Sequence, residues 1–298
     1  MSFADRLVAA MDRAGSPLCV GIDPVIERIP ETLRHHREPA AACEAFSRGV
    51  IEAVAGVAAA VKPQAACFER WGTPGWQALE RTVRAAREAG LIVVLDAKRG
   101  DIGSSSAHYA ASAADMGADS VTLNAYLGPS GIEPFLDAGL GVFALVRTSN
   151  PDADAVQSIE LAGGGTVAEA VGRTVAGLGA ARVGTHGLSD VGAVVGATQT
   201  GSAKRPGPEA LRVAMPDQVF LTPGIGAQGA TADDLRPLAR PGAGRAALAG
   251  VLATASRSVT YPGGVPAEGV GAEIERRWRA AVRDEASGLA AQVAAALG

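Results

Sequence analysis

Short apolar runs recur along the chain, and each stops at a charge, a proline or a polar cluster. They cover residues 18–22, 58–61, 91–97, 120–124, 142–146, 191–197, 219–222 and 246–253. Largely apolar runs of this kind, uninterrupted over 91–95, are how strands of a parallel sheet read, because both faces are covered. Between them lie stretches of helical character at about 40–58, 76–89, 104–116 and 131–138. Another is opened by Thr166-x-x-Glu169, a capping-box signature, and runs to about residue 178. A last helical stretch is predicted over about 268–297. At the other end, MSFADRLVAAMDRAG carries Asp5, Arg6, Asp12 and Arg13 among its apolar positions, which predicts an amphipathic helix rather than a signal peptide.

Strand and helix alternate eight times, the pattern of parallel strands joined by right-handed crossovers. Eight units in 298 residues predict a closed (β/α)8 TIM barrel rather than an open sheet. Residues 1–298 are expected to form a single domain with a C-terminal helix. The Gly/Pro-rich stretches at 150–165, 200–208 and 262–266 are expected to be extended loops within it.

Composition adds mainly exclusions. Lys+Arg (27) nearly balance Asp+Glu (31) and net charge is −4, so no basic field for nucleic acid or an anionic membrane is present. No apolar run approaches the ~18 residues of a membrane span, and a soluble, cytoplasmic protein is expected. Cys19, Cys43 and Cys67 have no ligand-like spacing and predict buried free thiols. His35 and His36 sit in a polar loop, while His108, expected to be structural, and His186 are isolated; no H-E-x-x-H, G-x-S-x-G or P-loop occurs.

The densest chemistry is in LIVVLDAKRGDIGSSS, residues 91–106. Alternation along a strand sends Asp96 and Lys98 to one side and Arg99 to the other, with Asp101 in the turn beyond. Burying charges costs several kcal/mol per ion unless they are paired. Charges at the carboxyl end of an apolar strand lie where parallel α/β folds place their active sites. In a barrel the same mouth gathers Asp23, Lys62, Asp96, Lys98, Asp101, Ser149, Gln228 and Arg257. Gly224-Ile-Gly226-Ala-Gln-Gly229 satisfies G-x-G-x-x-G, yet no acidic residue lies about 20 positions on to hold a ribose. The loops after strands 7 and 8 of a barrel offer a phosphate site instead, with Thr231-x-x-Asp234 as a helix start and Arg257 as the cation.

Asp96-Ala-Lys98-Arg99-Gly-Asp101-Ile102 resembles the D-x-K-R-x-D-I signature of the orotidine 5′-phosphate decarboxylase family. Gly21-Ile-Asp23-Pro24 and Val61-Lys62-Pro63-Gln64 match that family's first two strand ends, and Pro223-Gly-Ile-Gly226 with Gln228 and Ser256-Arg257 its phosphate positions. The likeness spans all eight strands and is closest to the longer bacterial subgroup. It implies cofactor-independent formation of UMP, with no metal, by an array of Lys62, Asp96, Lys98 and Asp101 in which Lys98 protonates C6. It further implies that Asp23 holds ribose hydroxyls, Ser149 the pyrimidine edge, and Gly226, Gln228 and Arg257 the phosphate. Ser105, also assigned to the substrate, stands where many members have threonine, and Ser256 where many have glycine. Asp101 is implied to reach a neighbouring subunit's site, making the active unit a homodimer.

The physics of the reaction agrees. The C6 carbanion left by CO2 has no adjacent electron sink, so stabilisation must be electrostatic. One charge contact at ~4 Å is worth roughly 4 kcal/mol at an effective dielectric near 20, about a thousandfold in rate. Remote phosphate and ribose binding must contribute by closing loops, and the Gly-rich segments after strands 5 and 7 are candidate lids. Three other readings share the barrel. Magnesium-dependent sugar-phosphate decarboxylases and synthases would be expected to carry a carboxylate where Lys62 stands. A Schiff-base aldolase needs an amine with a lowered pKa, whereas carboxylates flank Lys98. A barrel that only binds a phosphorylated ligand leaves the charge array without a purpose.

Overall fold

The computed structural model describes residues 1–197, 206–226, 229–263 and 269–298. Its eight strands are β1 (Leu18–Ile22), β2 (Ala60–Pro63), β3 (Ile92–Arg99), β4 (Ser120–Asn124), β5 (Gly141–Arg147), β6 (Ser189–Val195), β7 (Gln218–Pro223) and β8 (Val251–Ala255). They pair in sequence order, all parallel, and close where Leu18 of β1 meets Ala253 of β8. The expected (β/α)8 TIM barrel with a C-terminal helix is what the chain forms. β1, β2 and β8 are buried along their whole length and the other strands along most of it, as apolar runs covered on both faces require.

The boundaries depart from expectation where glycine or proline intervenes. The run 246–253 splits into a 3-10 turn, Ala246–Leu248, and the strand Val251–Ala255, because Gly250 between them adopts φ +66°. The helix expected over 40–58 is Pro39–Val54 and stops before Gly56, at φ +75°. The stretch 131–138 yields only the short helix Glu133–Asp137. Thr231 meets Asp234, whose carboxylate accepts its N–H at 2.7 Å, but no described side chain caps the segment that follows, which contains Pro237 and is the 3-10 helix Asp233–Leu238. The C-terminal helix is Ala272–Leu297.

Two apolar layers hold the barrel. Outside the strands, helices pack on the sheet, and the C-terminal helix lies against Pro39–Val54. There Trp278, 1% exposed, faces Phe46 at 5.4 Å, and its ring takes the space a side chain at Gly49 would need. Inside, the amphipathic helix Phe3–Ala14 closes the amino-terminal end, placing Phe3, Leu7 and Met11 among Ile92, Phe143 and Leu252. Phe3 meets Phe143 edge-on at 5.9 Å, and a Cβ on Gly141 would lie 2.1 Å from the Phe3 ring. Asp5 of this helix is buried beneath the barrel. It accepts hydrogen bonds from Thr185 Oγ1 at 2.9 Å and from the Thr185 and His186 amides, and pairs with His186 Nδ1 at 2.9 Å. Cys19 and Cys43 are buried free thiols as expected; Cys67 is half-buried. His108, expected to be structural, is instead exposed. No described helix is long and apolar enough to cross a membrane.

Candidate active site

The carboxyl ends of the strands open into a cavity of about 790 Å³. Its floor is organised on Asp96 at the end of β3, 5% exposed. Asp96 Oδ2 accepts from Lys62 Nζ at 2.6 Å and Gln64 Nε2 at 3.2 Å; Oδ1 accepts from Lys98 Nζ at 2.6 Å and Thr122 Oγ1 at 2.9 Å. Both carboxylate oxygens are therefore saturated, and two of the four donors are cations. Burial works to raise the Asp96 pKa, but Lys62 and Lys98 outweigh it and hold the carboxyl well below its usual range. Burial likewise opposes the charge on Lys62, and Asp96 and Asp23 overcome it, so this ammonium is held above the ordinary lysine value. The two lysines differ in access. Both line the cavity, but the Lys62 side chain is only 8% exposed and the Lys98 side chain 47%.

Simple alternation does not account for how Asp96 and Lys98 converge. The register between β3 and β4 shifts between Leu95 and Arg99, and Lys98 adopts φ +45°, a region side chains avoid. Arg99 turns outward as expected, to pair with Glu69 and lie 5.2 Å over the ring of Tyr109.

Around this floor stand Asp23 at the end of β1, Ser149 beyond β5 and Arg257 beyond β8, all lining the cavity. One Asp23 oxygen is buried with no hydrogen-bond partner among the described residues. The turn after Asp23 is pinned by Tyr261, whose hydroxyl donates to the Asp23 carbonyl and accepts from Val25 N–H, both at 2.9 Å. The segment after β5 folds back over the mouth. Gln157 accepts from Thr148 N–H at 2.9 Å and donates to Thr148 Oγ1 at 2.7 Å, and Val156, Val167 and Val171 form an apolar wall. Thr166 and Glu169 make the expected capping box at the start of Val167–Gly179.

Gly224 and Gly226 after β7 have φ +113° and +78°, which only glycine adopts readily. Gly224 lines the cavity; Gly226 sits behind it, with Ser258 Oγ 2.8 Å from where its Cβ would be. Gln228 lies outside the described residues. Ser256 has φ −113°, so this position does not demand glycine, and its hydroxyl fills the space over Gly21. Within one chain two further anticipated residues stay away from the cavity. Asp101 is half-buried and accepts from Ile102 N–H at 2.8 Å, and Ser105 is exposed on the first turn of the helix Gly103–Met116. Thr122 and Tyr261 escaped the sequence reading, because an isolated hydroxyl carries no motif.

Comparison with known proteins agrees with this geometry. Residues 16–268 match the profile of the "Orotidine 5'-phosphate decarboxylase / HUMPS family". The chain is 38% identical to the orotidine 5′-phosphate decarboxylase of Rhodopirellula baltica, over 95% of this chain and 96% of that one. It is 43% identical to that of Streptomyces coelicolor, over 88% and 90%. Among solved structures, Leishmania donovani OMP decarboxylase superposes with a TM-score of 0.74 at 30% identity, covering 99% of this chain and 98% of that one. A Streptomyces avermitilis crystal structure reaches 0.79 at 37% identity, covering 99% and 96%. With this likeness running through barrel and strand ends alike, the chain belongs to the orotidine 5′-phosphate decarboxylase family.

Proposed function

We propose that the chain converts orotidine 5′-phosphate to UMP and CO2, the last step of pyrimidine nucleotide synthesis, without a metal or cofactor. The observation that carries this reading is the Asp96 carboxylate gripped by two ammonium groups, one of them open to the cavity. The C6–carboxylate bond breaks, CO2 leaves, and the electron pair stays on C6. Lys98 Nζ, stationed 2.6 Å from Asp96 Oδ1, offsets that charge and then transfers its proton to C6; solvent returns the proton. Asp96 beside the substrate carboxylate disfavours the ground state.

Remote contacts position the substrate. The unpartnered Asp23 oxygen suits a ribose hydroxyl, Ser149 the pyrimidine edge, and Arg257 with Gly226 and Gln228 the phosphate. Asp101 and Ser105 complete the array from a second copy of the chain. Both avoid their own cavity and stand beside exposed Ile102, with Tyr109 also exposed on the same helix. The single domain 1–298 then works as a cytoplasmic homodimer.

A Schiff-base aldolase fits less well, since Lys62 is held charged and so lacks the free amine. A magnesium-dependent sugar-phosphate reaction would set a cation beside that ammonium. The test monitors the loss of orotidine 5′-phosphate absorbance with EDTA-treated protein. Wild type should turn over, and Lys98→Ala should lose more than about a thousandfold while keeping its fold. Near-wild-type turnover by the variant would remove Lys98 from the mechanism; inactive, folded wild type would remove the substrate.

A further inference from the structure

The shift between β3 and β4 poses a question that the charge array does not answer: what holds Lys98 in a backbone conformation that side chains avoid. β3 and β4 pair at Leu95↔Val121 and next at Arg99↔Leu123, so the stretch 96–98 bulges opposite one residue, Thr122. Thr122 is 1% exposed, and its hydroxyl is used twice. It accepts the backbone N–H of Lys98 at 2.9 Å and donates its proton to Asp96 Oδ1 at 2.9 Å. Asp96 Oδ1 also accepts from Lys98 Nζ at 2.6 Å. The result is a closed ring: amide of Lys98, hydroxyl of Thr122, carboxylate of Asp96, ammonium of the same lysine. Buried Thr166 uses its hydroxyl twice as well, but within its own capping box, while Thr82, Thr222 and Thr260 donate to a carbonyl of their own segment; all four serve local structure.

We infer that Thr122 is a positioning residue: its hydroxyl holds the bulge that aims the Lys98 ammonium and fixes the Asp96 oxygen that the ammonium grips. Thr122 acts through those two side chains. Where the Lys98 amide needs an acceptor and Asp96 a donor, a hydroxyl meets both demands and a methyl neither. The kinetic consequence rests on the decarboxylase reading above; the conformational one does not.

The experiment compares wild type, Thr122→Val and Thr122→Ser on orotidine 5′-phosphate, with thermal unfolding and UMP binding as controls. Valine keeps the shape and removes the hydroxyl; serine keeps the hydroxyl and removes the methyl. In Thr122→Val, kcat should fall about 10- to 100-fold, the loss of a hydrogen bond to a charged group. KM should stay within about threefold, and Thr122→Ser should recover to within about threefold of wild-type kcat. If valine does not fold, Thr122→Ala should show the same loss of kcat. A wild-type kcat in the valine variant, a change confined to KM, or a serine variant as impaired as valine would each overturn the inference. A crystal structure of Thr122→Val separates the two readings. Lys98 should leave its positive φ; if it keeps both that φ and its bond to Asp96, the inference fails even where wild type proves inactive on this substrate.

Discussion

The barrel buries an aspartate at each end, and the two make an instructive pair. Asp5 beneath the barrel and Asp96 at its mouth are 6% and 5% exposed, and each carboxyl lies well below its usual range. Burial alone would raise both. At Asp5 it is outweighed by hydrogen bonds from His186 and Thr185; at Asp96 chiefly by the charges of Lys62 and Lys98. Asp5 sits in a knot that ties the N-terminal helix to the segment before β6, and its partners Thr185 and His186 are exposed at the surface, away from the cavity. Asp96 holds two cations that line a cavity, one nearly buried and the other half-exposed. A perturbed carboxylate is thus a weak sign of function. What separates the two is whether a partner of the carboxylate can reach a ligand.

The comparison breaks most sharply at Asp96. Asp96→Asn leaves the Lys62 ammonium buried without its counter-charge, which should cost about 3–5 kcal/mol of stability. The same change should remove turnover by more than about a thousandfold, since Lys98 loses the group that stations it. Urea unfolding and the absorbance assay read the two losses; a stable variant of normal activity would show that Asp96 does neither job. Asp5→Asn should cost less, about 1–3 kcal/mol for weakened charge-assisted hydrogen bonds, with kcat per folded molecule unchanged. A lowered kcat there would mean that the two ends are coupled.

A smaller effect sharpens the contrast further. Because the folded-state pKa of Asp5 lies below its ordinary 3.8, its contribution is fully present above that value. As pH falls below it, the unfolded chain takes up protons first and the contribution is lost. The stability gap between wild type and Asp5→Asn should therefore be constant near neutrality and shrink below about pH 4. A gap that widens on acidification would mean that the carboxylate is not the stabilising form.

Much of this was legible in the order of residues. Apolar runs ending in charge placed the eight strands, and glycine or proline explains where element boundaries moved, as at Gly250 before β8 and Pro237 in the segment after β7. Asp23, Lys62, Asp96, Lys98, Ser149 and Arg257 were expected at one mouth and do line one cavity. Their positions obey a local rule, that a polar residue just past a buried strand emerges at the barrel's carboxyl end. The pairing of Asp96 with Lys98 was anticipated, but for an incomplete reason. Alternation assumes a regular strand, and it is the bulge opposite Thr122, visible only once β3 is registered against β4, that brings the two together. His186 looked isolated because its partner, Asp5, is 181 positions away. Sequence by itself thus determined the barrel, its mouth and the charges gathered there, since these depend on periodicity and on which residues end each strand. Tertiary structure alone decided which charges touch, which lysine is the more exposed in the cavity, and that Asp101 turns from its own site, because those depend on distances between strands that no local pattern encodes.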